Sequence, residues 1–244
     1  MADPIFVADQ QQAPTVSPSG LYAVAAPVEV DRPVIYGVDV RAEAIGGHGL
    51  WGAPVCTPGD RRKQGGESEV SVHFPGTAIW AAEECAAVGL SDVEAKANAR
   101  RRLLAVESSD AEVFTAGVLA DRAVPATVGL SEAEAVFRAE GIVPVLHVRP
   151  SDVPGLLQAK ALVSISGSIR TLLGSPVAIG AGYQTGFPDG AAYLTGPVTI
   201  YRNSVDVYDT FDQTTNQRLA IAERALSVTW TGQTLALNLQ EGEG

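Results

Sequence analysis

His73, Glu83, Glu84 and Cys85 stand close together in this chain, and between them they hold the parts of a thiol hydrolase. In such an enzyme a thiolate attacks a carbonyl and an imidazole takes the proton, which requires the two side chains to touch. Spacing alone supplies no such contact. The histidines His48, His73 and His147 and the cysteines Cys56 and Cys85 are scattered, without the paired spacing of a zinc site. His147 lies in the apolar run VLHV and reads as a satisfied core or edge histidine, not a ligand. Gly180, Gly182 and Gly186 give G-x-G-x-x-x-G after an apolar strand. A phosphate-binding turn must open a helix whose N–H groups face the anion. Here Phe187, Pro188, Asp189 and Gly190 follow as another turn, so the segment reads as a flexible loop. SISGS at 164–168 lacks the pattern of a nucleophile elbow. The residues therefore predict no catalytic group, no metal site and no cofactor.

Two basic clusters remain. Arg100, Arg101 and Arg102 lie in a helical pattern, where at ~100° per residue they fan over about 200°. None has an acidic residue three or four positions away. They are either a solvated face with one arginine snorkelling, or they find partners elsewhere in the fold, on a neighbouring molecule or on DNA. The expectation is that at least one joins an intersubunit ion pair. Asp60, Arg61, Arg62 and Lys63 form the tip of a polar loop, which is either simply solvated or makes a contact onto an adjacent subunit.

Composition narrows the field. The chain has 244 residues, 46% hydrophobic and 18% charged, enough for one large domain or two small ones with a real core. Aromatic residues are only 6%, which favours thin, closely packed layers over a deep aromatic pocket. The net charge of −11 disfavours a direct reader of DNA, since phosphate contacts need Lys and Arg, yet it suits a wall that weakly repels DNA held inside. Two cysteines are too few for a secreted disulfide scaffold. The opening MADPIFVADQ lacks the basic region of a signal peptide, and no run approaches the ~18–20 apolar residues of a membrane span, so a cytoplasmic origin without membrane contact is expected.

The elements follow in order. Residues 1–34 carry Pro4, Pro14, Pro18, Pro27 and Pro33 and read as an extended arm, either disordered or ordered only against a neighbour. Residues 35–80 hold two strand patches, IYGVDV and EVSVHF, around a Gly- and Pro-rich stretch, which fits a projecting hairpin. Residues 81–125 contain the strongest helix, capped by Ser91 and Glu94 as a capping box, with Asp92 and Lys96 as an i, i+4 pair. Its apolar stripe is read as Val93, Ala97, Leu104, Ala111 and Phe114, and Gly117 as its stop. Residues 126–195 begin with a second capping box, Ser131 and Glu134, in a helix closed by Gly141. A buried strand over 142–148 and a short helix opened by Pro150, Ser151 and Asp152 complete an α/β unit. In residues 196–240, VTIY and VDVY flank a hairpin-like turn at Arg202, Asn203 and Ser204. The odd alternation of Leu219 and Ile221 against the even one of Leu226, Val228 and Trp230 calls for a bulge or turn near Glu223 to Ala225. Residues 241–244 are a polar tail.

Over roughly residues 35 to 240 this order resembles the major capsid proteins of tailed bacteriophages, whose Hong Kong 97-like fold is shared with bacterial encapsulins. The similarity is carried by FPGTAIWAAEECAAVG leading into DVEAKANARRRLLAVESSDAEVFTAG, by EGIVPVLHVRPSDVPGLL, by LGSPVAIGAG, and by TGPVTIYRNSVDVY followed by RLAIAERALSVTW with its Glu223–Arg224 pair. The resemblance implies an α+β fold with an N-terminal arm, an extended loop, a peripheral domain built on a long spine helix, and an axial α/β domain. It implies a non-enzymatic subunit that self-assembles as hexamers and pentamers into an icosahedral shell around double-stranded DNA. Arm and loop would overlap neighbouring subunits. Scaffolding, portal or decoration proteins would be further partners, and packaged DNA would be touched non-specifically. It places Arg61, Arg62, Lys63, Arg100, Arg101 and Arg102 as candidate intersubunit contacts, with Lys63 the lysine positioned for a Lys–Asn cross-link of the kind some relatives form. The alternatives are an encapsulin-like compartment holding protein cargo, a decoration or tail-tube protein, and an enzyme working through Cys85 and His147.

Overall fold

The computed structural model describes residues 18–41, 71–86, 91–212 and 217–239. The chain opens with a one-turn helix α1 (Leu21–Val24) and strand β1 (Ala26–Glu29). Strands β2 (Val38–Arg41) and β3 (Ser71–Phe74) then pair antiparallel, Val38 opposite Phe74 and Arg41 opposite Ser71. They are the two stems of the expected hairpin. Its loop, with Arg61, Arg62 and Lys63, lies outside the described residues, as do His48 and Cys56. Strand β4 (Gly76–Ala86) already belongs to the main sheet.

Helix α2 (Asp92–Arg122) is the longest element, roughly 46 Å at 1.5 Å per residue. Its start is the predicted capping box: Ser91 Oγ accepts the Glu94 N–H at 3.3 Å, and Glu94 Oε2 accepts the Ser91 N–H at 3.0 Å. Its end differs. The helix runs through Gly117, which is exposed, because Val118 and Leu119 beyond it are buried and hold the extra turn against the core. The buried stripe is also rotated from the expected one. Ala95, Ala99, Leu103, Glu107 and Ala111 face inward, while Val93 is 77% exposed. Small alanines let the helix lie close to the sheet, and the two carboxylates among them are invisible to a count of apolar residues. Lys96 and Asp92 do not pair with each other: Lys96 binds Asp209 and Asp92 binds Arg218, both from the sheet.

That peripheral sheet is centred on β13 (Gln217–Trp230). Strand β4 pairs along one edge, Gln217 opposite Ala86 through Ser227 opposite Gly76. On the other edge lie β11 (Val198–Arg202) and β12 (Asp206–Asp212), end to end, both antiparallel to β13. The expected hairpin between these two strands is therefore absent. Arg202 faces Leu226 and Asp206 faces Glu223, so Asn203, Ser204 and Val205 span only Arg224 and Ala225. The bulge lies on this side and not in β13. Strand β13 keeps one buried face throughout, with Ala220, Ala222, Arg224, Leu226, Val228 and Trp230 all inward. The apparent switch of face arose because Ala and Arg occupy inner positions that Leu219 and Ile221 seemed to claim.

Residues 18–34, expected as part of a free arm, fold onto this body. Strand β1 pairs parallel with β11, Ala26 opposite Thr199. The Asn203 amide donates to the carbonyls of Val30 and Arg32, each at 2.8 Å, and its oxygen accepts the Val34 N–H at 3.3 Å.

The axial sheet has the order β5 (Val124–Pro125), β14 (Leu235–Asn238), β10 (Ala191–Thr195), β6 (Val145–Val148), β9 (Val177–Ile179). Its last-listed sequence element, β14, leaves the closing strands: Gly232, at φ +76°, turns the chain after Trp230 and returns it beside β10. Helix α3 (Leu130–Ala139) starts at Gly129, not Ser131, because Glu134 is buried and accepts a bond from Thr171 at 2.7 Å instead of capping the helix. Gly141, at φ +76°, follows its end as predicted. A single turn at Pro150–Asp152 runs into α4 (Val153–Gln158). Strands β7 (Leu162–Ile165) and β8 (Ser168–Thr171) form a hairpin whose two turn residues, Ser166 and Gly167, both have positive φ. The remaining helix is α5 (Tyr183–Gly186).

Candidate assembly framework and its buried joints

Three buried polar joints fix the long helix to the two sheets. The first centres on Glu107 of α2. Arg224 of β13 donates to both its oxygens, at 2.9 and 3.0 Å, Arg202 of β11 donates at 3.1 Å, and the Tyr22 hydroxyl at 2.8 Å. Arg202 also reaches Glu29 of β1 at 3.2 Å. Glu107 and Arg224 are both less than 10% exposed. Burial and the neighbouring Glu107 push the Tyr22 hydroxyl well above its ordinary range, so it stays a donor. Sequence reading paired Arg224 with Glu223. As adjacent strand residues they point to opposite faces, and Arg224 turns inward to the helix.

The second joint explains the glycine motif. A Cβ on Gly182 would lie 2.2 Å from the Ser109 carbonyl oxygen, and one on Gly186 would lie 2.4 Å from the Ala116 Cβ. The glycines let α5 and the loop before it lie directly on α2. Glu112 of α2, 1% exposed, fills the contact and accepts N–H bonds from Leu21 at 3.0 Å and Gly182 at 2.9 Å. Close approach of two backbones, not anion binding, is what this spacing encodes.

The third is His147 of β6, fully buried between hydroxyls: Nδ1 lies 2.9 Å from Tyr183 and Nε2 lies 3.0 Å from Thr195. Thr195 spends its own proton on the Gly196 carbonyl, so Nε2 carries the hydrogen and Nδ1 accepts from Tyr183. Burial lowers its pKa to about 3. The unfolded imidazole, near 6.5, binds a proton that the folded one refuses. Stability from this site is full above about pH 6.5 and falls as pH drops toward 3. Urea unfolding of wild type and His147→Gln across pH 4–6 will differ in slope by about 1.4 kcal/mol per pH unit. Parallel slopes would refute the assignment.

On the axial side, Arg149 at the end of β6 grips Asp152 with two parallel bonds, Nε to Oδ2 and Nη2 to Oδ1, each at 2.8 Å, and also meets Asp189. The Arg-Pro-Ser-Asp segment is thus a clamp that turns a strand into a helix.

The remaining predicted residues divide. Arg102 pairs with Glu83 and donates to the Ala82 carbonyl, and Arg101 meets Asn98. Arg100 is exposed with no ion-pair partner among the described residues. His73 binds Asp39 at 2.8 Å on the hairpin stems, and the Cys85 side chain lies outside the described residues. Among the described residues no group of His, Cys, Asp and Glu could hold a metal, and no helix is long and apolar enough to cross a membrane. Two open grooves are present, one of about 380 Å³ beside Val40, Phe74 and Trp230, the other of about 440 Å³ beside Ile35, Asp206 and Glu223. His147 lines neither.

The face of the peripheral sheet turned away from α2 is unusual. An antiparallel sheet with one open face normally carries polar residues there. Here Trp80 is 63% and Tyr208 44% exposed, with Ala82, Leu219 and Ile221 between them. Asp206 and Glu223 sit directly opposite each other on that face, a like-charge pair.

No protein-family model matches the sequence, and no curated protein is significantly similar to it. Solved structures do match over nearly the full length. The capsid of a native GTA particle is 12% identical, with a TM-score of 0.58 over 98% of this chain and 95% of that one. The capsid of an empty GTA particle is 14% identical, with a TM-score of 0.54 over the same shares. The SrpI encapsulin of Synechococcus elongatus PCC 7942 is 12% identical, with a TM-score of 0.54 over 96% of this chain and 92% of that one. Spine helix, peripheral sheet and axial domain thus compose the Hong Kong 97-like fold of phage capsids and encapsulins.

Proposed function

We propose that this chain is the structural, non-enzymatic subunit of an icosahedral phage capsid that encloses double-stranded DNA. The observation that carries this reading is the full-length likeness to shell subunits, covering 95% of the GTA capsid chain, with no added domain in which to seat another activity. Copies associate as hexamers and pentamers, each plate making many weak contacts whose sum is stable. Assembly takes place in the bacterial host cytoplasm, with portal, scaffolding or decoration proteins as accessories, and the acidic wall touches packaged DNA only non-specifically. An encapsulin-like compartment is the second reading, favoured by the likeness to SrpI, and a cargo enzyme copurifying inside the particle would select it.

The intersubunit contacts belong to the same proposal. The apolar outer sheet face around Trp80, with its opposed Asp206 and Glu223, suits a neighbour's loop carrying Arg61, Arg62 and Lys63. Arg100, unlike Arg101 and Arg102, is free to pair across an interface. Gradient sedimentation tests this. Wild type will run as large particles. The combined Arg61→Glu, Arg62→Glu and Lys63→Glu variant, and Arg100→Glu alone, will each shift at least half the chain to the top fraction while keeping its folded circular dichroism. Wild-type sedimentation by all variants would remove these four residues from the interface.

A further inference from the structure

We propose that Glu112 is a proton-operated joint: ionised, it fastens the N-terminal segment and the axial domain to the spine helix, and taking up a proton releases one of them. The geometry is specific. Each carboxylate oxygen accepts one backbone N–H, from Leu21 before the first strand and from Gly182 before α5. These donors come from segments far apart in the chain, and both end on one side chain of the long helix. Room for that side chain is made by glycine, since a Cβ on Gly180 would lie 2.5 Å from the Glu112 Cδ. Nearby, the Ile179 N–H of β9 donates to the Ser19 carbonyl, so the N-terminal segment also touches the edge of the axial sheet. One carboxylate therefore stands where three parts of the subunit meet.

Glu112 has no counter-ion among the described residues. The charged and titratable groups around it are Tyr183 of α5, whose hydroxyl is engaged by His147 of β6, and on its own helix Asp110 and Glu107, the latter committed to Arg224 and Arg202. A buried carboxylate without a cation carries an uncompensated desolvation cost. That burial raises the Glu112 carboxyl above its ordinary range, against the opposing pull of the two N–H bonds. A carboxylate is an acceptor only, whereas a carboxylic acid turns one oxygen into a donor. That O–H would face an N–H, so one of the two bonds is lost on protonation.

The sign separates this joint from His147. With its folded pKa raised, Glu112 favours the folded state as pH falls, so acidification relieves its burial cost while loosening a local tie. His147 does the reverse and weakens the whole fold in acid. The joint does not depend on the shell reading. Should the chain assemble as proposed, the angle between axial domain and spine would respond to mild acid, and with it the curvature of the plate.

Hydrogen exchange on the purified full chain tests this, at pH 7.5 and 5.5 with correction for intrinsic exchange. Peptides over 19–25 and 180–187 report the joint, and a peptide over 219–230 serves as reference. Wild type will exchange about tenfold faster at pH 5.5 in one or both joint peptides, with the reference unchanged. Glu112→Gln, which offers one acceptor and one donor, will show the fast rate at both pH values. Equal wild-type rates at the two pH values, or a pH response kept by Glu112→Gln, would overturn the proposal. Should Glu112→Gln not fold, His147→Gln decides: a retained pH response supports Glu112, and a lost one assigns the effect to the histidine.

Discussion

Replacing Glu107 with alanine will destabilise the subunit by about 3–5 kcal/mol, the cost of leaving a buried cation without its partner. The lost carboxylate strands Arg224, which is 7% exposed, and takes the acceptor from Arg202 and from the Tyr22 hydroxyl. In a chain of this size that loss corresponds to a fall in melting temperature on the order of 10 °C. The double variant Glu107→Leu with Arg224→Met will recover much of it, because apolar side chains of similar volume remove the desolvation cost of both ions. Thermal unfolding of the two single variants and the double variant measures the coupling directly. Additive losses would mean that the two residues do not act as a pair.

Gly182→Ala will have an effect of similar size for a different reason. At φ −66° and ψ −27° the backbone of Gly182 suits any residue, so conformational strain plays no part. Space does. The added methyl would lie 2.2 Å from the Ser109 carbonyl oxygen and 2.8 Å from the Val113 nitrogen, both backbone atoms of α2 that cannot swing aside. Overpacking commonly costs 1–3 kcal/mol, and a backbone obstacle puts this case at about 3 kcal/mol or above. Gly155→Ala is the control, since nothing lies within 4 Å of its would-be methyl. Helix propensity makes that change neutral or stabilising by up to about 1 kcal/mol. Equal stability of the two variants in urea would show that α5 does not rest on the long helix as described.

How far the sequence spoke for itself follows from these same residues. Capping is local chemistry, so Ser91 and Glu94 announced the start of the spine helix, and Pro150 to Asp152 announced the short axial helix. Apolar strands were also plain. What a one-dimensional reading cannot see is which small or charged residues face inward. Ala220, Ala222 and Arg224 hold the inner face of β13, and their modest hydropathy produced an apparent change of register that the strand does not make. Gly117 resembled a stop, but a helix end is decided by whether the next turn is buried, and Val118 and Leu119 are. Ser131 and Glu134 had the spacing of a cap, yet Thr171 claims that carboxylate from another part of the chain. Glu107 and Glu112 drew no attention in the sequence. A pair of carboxylates in the stretch between Leu103 and Leu119 was the available signal, since acids inside a buried helix face must have partners. The glycines at 180, 182 and 186 were noticed for the wrong chemistry: their spacing serves contact between backbones.

Electron microscopy of the purified chain, with light scattering alongside, bears most directly on the central claim that copies of this subunit tile into a closed shell. The account predicts closed, icosahedral particles tens of nanometres across, with the long helix and its sheet forming the wall. A chain that stays monomeric or forms only small open oligomers, with divalent ions, crowding agent and a coexpressed scaffold or portal all supplied, would contradict it.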